Sequence, residues 1–151
     1  QDTVLRLDQL HLNEPIIDIG CGNTYGLVKS LRRNGYKSVY GIDQYISMDN
    51  QIICSNWFDF SFNEATWGTI ISHMAYTNHF RRVVCLESEK VEQYTEKYHE
   101  LLRALKRGGL LIYTPSVRVI EDAIDRGLYD VRYYRNMANP DLDTVHIQKR
   151  P

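Results

Sequence analysis

Residues 15–26, with the sequence PIIDIGCGNTYG, combine residue types that let a backbone approach a ligand closely. The apolar run Ile16–Ile19 is typical of a buried strand, and Gly20-Cys21-Gly22 is typical of a tight turn. Glycine adopts backbone conformations that other residues avoid, and the start of the helix predicted next offers unpaired N–H groups and partial positive charge. The pattern predicts a ligand site, although a plain strand-to-helix turn of any α/β protein has the same pattern.

A carboxylate follows the second predicted strand. Asp43 lies roughly 20 residues after the glycine turn, where nucleotide-binding α/β proteins place an acid. A carboxylate at this position can accept hydrogen bonds from both hydroxyl groups of a ribose. The alternative for Asp43 is a helix cap or a solvated turn. From these residues alone, a nicotinamide cofactor and an adenosyl cofactor both fit.

The chain alternates strand and helix patterns, which predicts an open, mostly parallel sheet. Apolar runs predict strands at Ile16–Ile19, Ser38–Ile42, Gln51–Cys54, Trp67–His73 and Gly109–Thr114. Helical spacing predicts helices at Tyr25–Asn34, from Val91 to Leu105 with Lys106 and Arg107 in the last turn, and after Ser116. Alternating side chains around Val131 and Val145 predict a terminal antiparallel hairpin.

Polar residues follow four of the predicted strands: residues 20–26, Asp43, Asn56 and Ser72-His73. Ligands of parallel sheets bind beyond the carboxyl ends of the strands, so this arrangement strengthens the prediction of a ligand site. The link after Asp43 has only about eight residues, fewer than a helical crossover needs. We therefore expect the second crossover helix to be reduced or missing.

Length and composition bound the class of protein. The 151 residues suffice for one domain, predicted to span 1–151, and a missing N-terminal portion stays open because the chain begins with Gln1. The formal net charge of -1 does not indicate nucleic acid as a partner, and no apolar run is long enough to span a membrane. Cys21, Cys54 and Cys85 lack metal-site spacing, so we expect no metal and reduced thiols packed in the core of a cytoplasmic protein.

Four segments together resemble the class I S-adenosylmethionine-dependent methyltransferase family: DIGCGNTYG, YGID, NWFDFSFNEATWGTIIS and LLRALKRGGLLIYT. The similarity covers about Glu14 to Thr114, and the terminal hairpin is similar to that family's sixth and seventh strands. With the short link, the resemblance implies an α/β fold: a Rossmann-like, mostly parallel seven-stranded sheet with a C-terminal antiparallel hairpin and reduced crossover helices. It also implies S-adenosylmethionine as cofactor and methyl transfer by in-line displacement as the activity.

The resemblance implies cofactor contacts after the first four strands. The glycine loop would run beneath the methionine part and ribose, which implies Asp18, Gly20, Cys21 and Gly22. Asp43 would hold the ribose hydroxyls, Gln44 and Tyr45 would flank the adenine, and Asn56 would meet its amino group with Trp57 alongside. Ser72, at the fourth strand end, completes the predicted cofactor-binding set.

Three positions depart from the family pattern: Thr24 replaces a common glycine, with Gly26 two places on, Asn56 replaces the commoner aspartate, and Gly68 replaces an acid. The last change is expected to affect sheet packing more than chemistry. Tyr25 disfavours a nicotinamide-dependent oxidoreductase, since a dinucleotide fingerprint has glycine there. A non-catalytic methyltransferase-like binding or scaffold protein is the other alternative, because the acceptor-side motif is weak.

Candidate catalytic residues follow the fourth strand. His73, Tyr76 and His79 could each act as a general base or position the acceptor; the alternatives are a hydrogen-bonded wall, a surface histidine or a reaction without a base. Arg81-Arg82 could meet an anionic acceptor or be a solvated basic pair. The acceptor, small or macromolecular, and the oligomeric state are not identified, and the Asp-Pro-Pro-Tyr motif of nucleic-acid amino-methylating relatives is absent from the sequence.

Overall fold

The computed structural model describes residues 4–86, 89–139 and 142–151. Seven strands form one sheet: β1 (Ile16–Ile19), β2 (Val39–Asp43), β3 (Ile52–Cys54), β4 (Trp67–His73), β5 (Leu105–Thr114), β6 (Tyr129–Tyr134) and β7 (Thr144–Lys149). Their order across the sheet is β3-β2-β1-β4-β5-β7-β6. Strands β1 to β5 pair in parallel, and β7 is antiparallel to both β5 and β6. The predicted mostly parallel seven-stranded sheet with a terminal antiparallel hairpin is confirmed.

The helices are α1 (Gly26–Arg33), α2 (Tyr76–Cys85), α3 (Val91–Ala104) and the short α4 (Arg118–Glu121), with a 3-10 helix at Leu7–Gln9. The sequence alone does not assign the segment of α2. Its helical form follows from the burial of Tyr76, Thr77 and Phe80, which share one face. The sequence also offers Ser88 as a cap for the helix around Val91, and Asn139-Pro140-Asp141 between the strands of the hairpin; Ser88, Pro140 and Asp141 lie outside the described residues.

The strand β5 begins four residues before its predicted start, at Leu105 rather than Gly109. The prediction that Lys106 and Arg107 end the preceding helix is therefore wrong. Leu105 already pairs with Trp67 of β4, and Gly108 has a φ of 74°, which lets the strand bend before it continues. Leu105 continues the helical spacing of the apolar residues in α3, so the sequence alone does not show that it belongs to the strand.

Two apolar layers cover the faces of the sheet. One packs α1 and the segment around Leu5 against side chains such as Ile16 and Ile71. The other packs α2 and α3 against side chains such as Ile17 and Ile70. Neighbouring residues of β1 and β4 thus point to opposite faces, as alternation along a strand requires. Burial on both faces explains why these strands read as continuous apolar runs.

The predicted loss of the second crossover helix is confirmed, since residues 44–51 connect β2 to β3 without a helix. Both guanidinium nitrogens Nη1 and Nη2 of Arg32 on α1 donate to the carboxylate of Asp49 in this link. That hydrogen bonding keeps the pKa of Asp49 below its usual value. Asp49 also accepts the backbone N–H of Gln51 at 2.9 Å, so one carboxylate fixes the turn in place of a helix.

The expectation that the cysteines lie in the core is wrong for two of the three. Cys21 is buried, whereas Cys54 and Cys85 are exposed. Cys54 ends the three-residue edge strand β3, and Cys85 ends α2, so each sits where an element leaves the core.

Packing explains why position 68 is a glycine. A Cβ there would overlap the backbone carbonyl of Asn13, which passes directly over β4. The same carbonyl accepts a hydrogen bond from Oγ1 of Thr69 at 2.9 Å, so the backbone is held in this close position. The expectation that Gly68 affects sheet packing agrees with this contact.

Within the described ranges, no helix has the length and apolar character needed to cross a membrane. The same residues contain no group of three or more His, Cys, Asp or Glu side chains that could hold a metal ion.

Candidate functional site

The glycine turn places backbone N–H groups between the ends of β1 and β2. Gly20 and Gly22 have φ values of 73° and 69°, a region that favours glycine. The Gly20 N–H donates to the carbonyl of Ile42 at 2.9 Å, and the Gly22 N–H donates to Oδ2 of Asp43 at 2.9 Å. A Cβ on Gly20 would overlap the Cβ of Ala75, so the turn also packs against the start of α2.

Asp43 lies at the junction of the turn and β2. Its Oδ2 accepts from Gly22, and its Oδ1 accepts the backbone N–H of Gln44 at 2.7 Å. A carboxylate has about four lone-pair sites, so two more hydrogen bonds can form. The side chain is thus oriented by the backbone and keeps capacity for two hydroxyl donors, which is what a ribose diol presents.

Asp18 is buried at the end of β1, where it is 2% exposed. Among the residues that the structure describes, its Oδ2 has no hydrogen-bond partner. Burial, with a smaller contribution from the nearby charge of Asp43, raises the pKa of Asp18 to about 8. A buried carboxyl oxygen without a partner is costly, and the described residues supply no hydrogen-bond donor to it.

A cleft of about 630 Å³ opens at the carboxyl ends of β1, β2, β3 and β4. Its lining residues are Gly20, Asp43, Gln44, Tyr45, Asn56, Trp57, Phe58, Met74, Ala75, His79, Lys90, Gln93 and Tyr94. The size falls within the roughly 300–1,000 Å³ of small-molecule sites. Parallel sheets are expected to bind ligands at this edge.

Aromatic rings form one wall of the cleft. Trp57 lies edge-on to Tyr76 at 5.4 Å and 6.4 Å from Tyr94, and Phe58 lies 5.0 Å from Tyr94. Tyr76 stacks on Tyr94 at 5.9 Å and donates its hydroxyl hydrogen to the Tyr94 carbonyl. Because each ring is braced by another, the wall presents a rigid apolar surface suited to a planar group.

The structure brings seven of the predicted site residues to the cleft: Gly20, Asp43, Gln44, Tyr45, Asn56, Trp57 and His79. Asn56 differs from expectation in one respect. Its Oδ1, expected to receive the adenine amino group, already accepts the backbone N–H of Phe58 at 3.0 Å. One lone pair of that oxygen is left for a ligand. The roles of these residues stay predictions.

Six other predicted residues do not line the cleft: Asp18, Cys21, Gly22, Ser72, His73 and Tyr76. Ser72 is buried and its Oγ accepts the backbone N–H of Tyr76 at 3.1 Å, which anchors the start of α2. Burial raises the pKa of Cys21 to about 12, so its thiol stays protonated. Asp18 and Gly22 lie behind the cleft surface, where the Gly22 N–H contacts Asp43.

Tyr76 is poorly placed for the predicted catalytic role. It is 1% exposed, its hydroxyl is engaged by the Tyr94 carbonyl, and burial raises its pKa far above the usual value. A residue in this state packs and supports the aromatic wall rather than exchanging protons with a substrate.

The two histidines differ in setting. His79 is exposed in the cleft, with its ring 6.0 Å from that of Trp57. His73 is partly buried at the end of β4, and burial lowers its pKa. A lowered pKa keeps an imidazole neutral at physiological pH, which is the form that accepts a proton.

Sequence reasoning missed the contribution of α3 to the cleft. Lys90, Gln93 and Tyr94 line it from the start of that helix, and Met74 and Ala75 line it from the turn before α2. Tyr94 belongs to an apolar helical stripe, a pattern that indicates the core rather than a site. A polar residue such as Gln93 beside the stripe, in the first turn of a helix, was the available signal.

No protein-family model matches the chain, and no curated protein matches it in sequence. Solved structures do match. An S-adenosylmethionine-dependent methyltransferase from Mesorhizobium loti superposes with a TM-score of 0.71 at 12% identity, covering 97% of this chain and 96% of that chain. An rRNA methylase from Streptococcus thermophilus gives a TM-score of 0.62 at 16% identity, with 99% and 93% covered.

A 16S rRNA N2 methyltransferase from T. thermophilus, solved in complex with AdoMet and guanosine, gives a TM-score of 0.59 at 15% identity; 100% of this chain and 40% of that chain are covered. At such identities the likeness establishes the fold. The chain has the Rossmann-like fold of the class I S-adenosylmethionine-dependent methyltransferases, as the resemblance of its glycine turn and strand-end motifs predicts.

Proposed function

We propose that this protein transfers a methyl group from S-adenosylmethionine to an acceptor by in-line displacement. The observation that carries the proposal is Asp43. Its carboxylate is fixed by the Gly22 and Gln44 backbone N–H groups at the mouth of the cleft, with acceptor capacity left for a ribose diol. Structures that share the fold include one solved in complex with AdoMet.

The residues present fit this cofactor. The cleft volume of about 630 Å³ suits a nucleoside with an amino-acid tail. Asp43 offers the ribose acceptor, and the ring of Trp57 offers a planar apolar contact. Oδ2 of Asp18, behind the cleft surface, is a further hydrogen-bonding atom that has no partner among the described residues. When bound, the cofactor supplies an electrophilic methyl group on a sulfonium.

The contribution of the chain to the reaction is mainly alignment and exclusion of water. The sulfonium is already a good leaving group, so the barrier falls chiefly when the acceptor is held in line with the methyl group in a dry site. The aromatic wall of Trp57 and Tyr94 and the packed turn at Ala75 supply such a surface. A base is needed only if the acceptor must lose a proton, and His79 is the histidine that lines the cleft.

The oxidoreductase alternative loses support from the topology. Dinucleotide-binding sheets have six parallel strands in the order 3-2-1-4-5-6. Here β7 inserts between β5 and β6 and runs antiparallel to both. Tyr25, which occupies the third glycine position of that fingerprint, has a φ of 37° and caps α1.

Calorimetric titration with S-adenosylmethionine and S-adenosylhomocysteine tests the proposal. We expect binding by the wild-type chain and a loss of at least about a hundredfold in Asp43→Ala, because the fixed ribose acceptor is removed. Asp122→Ala is the matched control, since Asp122 is an exposed acid outside the cleft. A folded wild-type protein that binds neither compound would contradict the proposal and favour a non-catalytic scaffold.

A further inference from the structure

A second cavity, of about 300 Å³, lies between α2 and the turn that follows β5. One face of α2 lines it with Arg81, Val84 and Cys85, which recur at helical spacing. The opposite side is formed by Ser116–Val119, and Asp143 closes it from the start of β7. The volume is at the lower end of the range for small-molecule sites.

This second cavity belongs to the same edge of the sheet as the cofactor cleft. The N–H of Met74, a cleft residue, donates to the carbonyl of Thr114 at 2.9 Å, and Thr114 stands two residues before Ser116 of the second cavity. The cleft therefore covers the ends of β1 to β4, and the second cavity covers the end of β5. A donor and an acceptor that react must occupy neighbouring sites of this kind.

Arg118 and Arg81 line the second cavity with two positive charges, against the one negative charge of Asp143. The guanidinium of Arg118 stacks on the ring of Tyr133 at 3.7 Å and lies 3.5 Å from Asp143 and 4.0 Å from Glu121. These contacts orient the side chain, which is still 54% exposed. Both ion-pair distances exceed the 2.7–3.2 Å of a hydrogen bond, so most of the five N–H donors stay available to an anion. Arg81 adds a second guanidinium from α2.

The rest of the cavity is apolar, with one unexplained hydroxyl behind it. Val84, Val117 and Val119 supply the apolar lining. Thr77, one helical turn before Arg81 on the same face of α2, is fully buried, and its Oγ1 has no partner within the described ranges. Paired guanidinium groups above an apolar surface suit a molecule that joins an anionic group to an apolar body.

We propose that this second cavity binds the methyl acceptor, and that the acceptor is a small molecule carrying a carboxylate or a phosphate. The assignment of the bound molecule as acceptor rests on the proposed methyltransferase function. Arg118 and Arg81 hold the anionic group, and the three valines contact the apolar part. Arg82, exposed beside Arg81 on α2 and outside the cavity, takes no part.

The exposed thiols provide the test. Cys85 lines the second cavity, whereas Cys54 is exposed at the end of β3 and lines neither cavity. Phenyl phosphate and benzoate serve as probes for the two anionic groups, and benzyl alcohol serves as the neutral control. The rate at which iodoacetamide alkylates each thiol is measured by mass spectrometry, with and without saturating S-adenosylhomocysteine.

At a probe concentration about ten times its dissociation constant, mass action predicts that an anionic probe slows alkylation of Cys85 about tenfold. The rate for Cys54 should stay unchanged, and benzyl alcohol should protect neither thiol. Arg118→Met should weaken protection about tenfold, and Arg82→Met should leave it intact. Whichever of phenyl phosphate and benzoate protects better identifies the preferred anion.

Three results would overturn the proposal: no protection of Cys85 by either anion, equal protection by benzyl alcohol, or protection that survives in Arg118→Met. Protection abolished by S-adenosylhomocysteine would also overturn it, because donor and acceptor must bind together. A protein that fails to bind the cofactor in the titration above but still shows the expected Cys85 protection would sink the methyltransferase function and not the anion site.

Discussion

Two buried carboxylates at the same edge of the sheet are treated in opposite ways. Glu121, fully buried on α4, accepts hydrogen bonds from the hydroxyls of Tyr113 and Ser116 and from the N–H of Val117. Asp18, buried at the end of β1, has an oxygen without a partner and a raised pKa. Glu121 therefore has its hydrogen-bond donors within the chain, whereas Oδ2 of Asp18 has none among the described residues.

The two carboxyl groups differ in role: Glu121 stabilises the fold, whereas Asp18 lies beside the candidate site. The Glu121 carboxylate closes a network that continues from Tyr113 to Tyr98, whose hydroxyls lie 2.8 Å apart, and so ties α3, β5 and α4 together. Asp18 lies behind the glycine turn and does not line the cleft. A satisfied buried acid stabilises a fold, whereas an unsatisfied one costs stability that a ligand can return.

Removing the hydrogen-bonded carboxylate of Glu121 should have the largest effect on stability. Glu121→Ala leaves the Tyr113 and Ser116 hydroxyls and the Val117 N–H without their acceptor, so we expect the free energy of unfolding to fall by about 3 kcal/mol or more. Urea denaturation measures it. The neighbouring exposed acid is the control: Asp122→Ala should change stability by no more than about 0.5 kcal/mol. Equal, small changes in both variants would show that the network does not stabilise the fold.

The glycine turn sharpens the comparison from the other side. Gly20→Ala has two costs: the strain of a positive φ and the overlap of the added methyl group with Ala75. Gly22→Ala has only the strain, because no described atom lies within 4 Å of the position that its Cβ would take. We expect losses of about 2–3 kcal/mol and about 1 kcal/mol, respectively. Thermal unfolding measures both. A larger loss for Gly22→Ala would refute the contact between the turn and α2.

Replacing Asp18 by a side chain that cannot ionise should stabilise the protein at pH 8. Between pH 3.8, the ordinary pKa of an aspartate, and about pH 8, folded Asp18 holds a proton that the unfolded chain has released. The free energy of unfolding contributed by Asp18 therefore falls as the pH rises through this range. Asp18→Asn cannot ionise, so we expect it to be more stable than wild type at pH 8 by at least about 1 kcal/mol.

The matched observation for Asp18→Asn is weaker cofactor binding in the same variant. Urea denaturation at pH 5 and pH 8 gives the stability difference, and calorimetry gives the affinity. Parallel stability profiles for variant and wild type would mean that Asp18 is not held protonated in the fold.

The smallest effect should come from His146 in the terminal hairpin. Burial lowers its pKa below the usual 6.5, and its Nε2 lies 2.9 Å from the carbonyl of Leu5. The unfolded chain then binds more protons as the pH drops through 6.5, so the free energy of unfolding falls on that side and is retained above it. His146→Gln should flatten this slope in thermal scans from pH 5 to pH 7.5. A slope unchanged by the substitution would assign it to another group.

The parts of the fold set by local pattern could be predicted from the sequence. The strand bounds at Ile16–Ile19 and Trp67–His73 agree with the structure because each strand is a buried apolar run with polar residues or turns on both sides. The start of β5 could not be predicted, because Leu105 continues the apolar stripe of α3 while already pairing with Trp67. Pairing across the sheet is a tertiary contact that a single sequence does not display.

The same limit divides the candidate site. Asp43 could be placed because its position relative to a strand end is local. Tyr94 and Gln93 could not, because their place in the cleft depends on how α3 packs across the sheet. The opposite error occurs at Tyr76. Its position just after the end of β4 suggested a catalytic role, but it lies on the buried face of α2 and is part of the core.

The contact between the two ends of the described chain has a consequence for biosynthesis. The carbonyls of Val4 and Leu5 are bonded to Thr144 and His146, about 140 residues later. A ribosome delivers Leu5 well before β7, so the early segment lacks these hydrogen bonds while the intervening strands are made. Long-range pairings of this kind form late and slow the search for the native state. The segment around Leu5 can therefore pack early against α1 and β1, but it gains its hydrogen bonds to β7 only after that strand has been made.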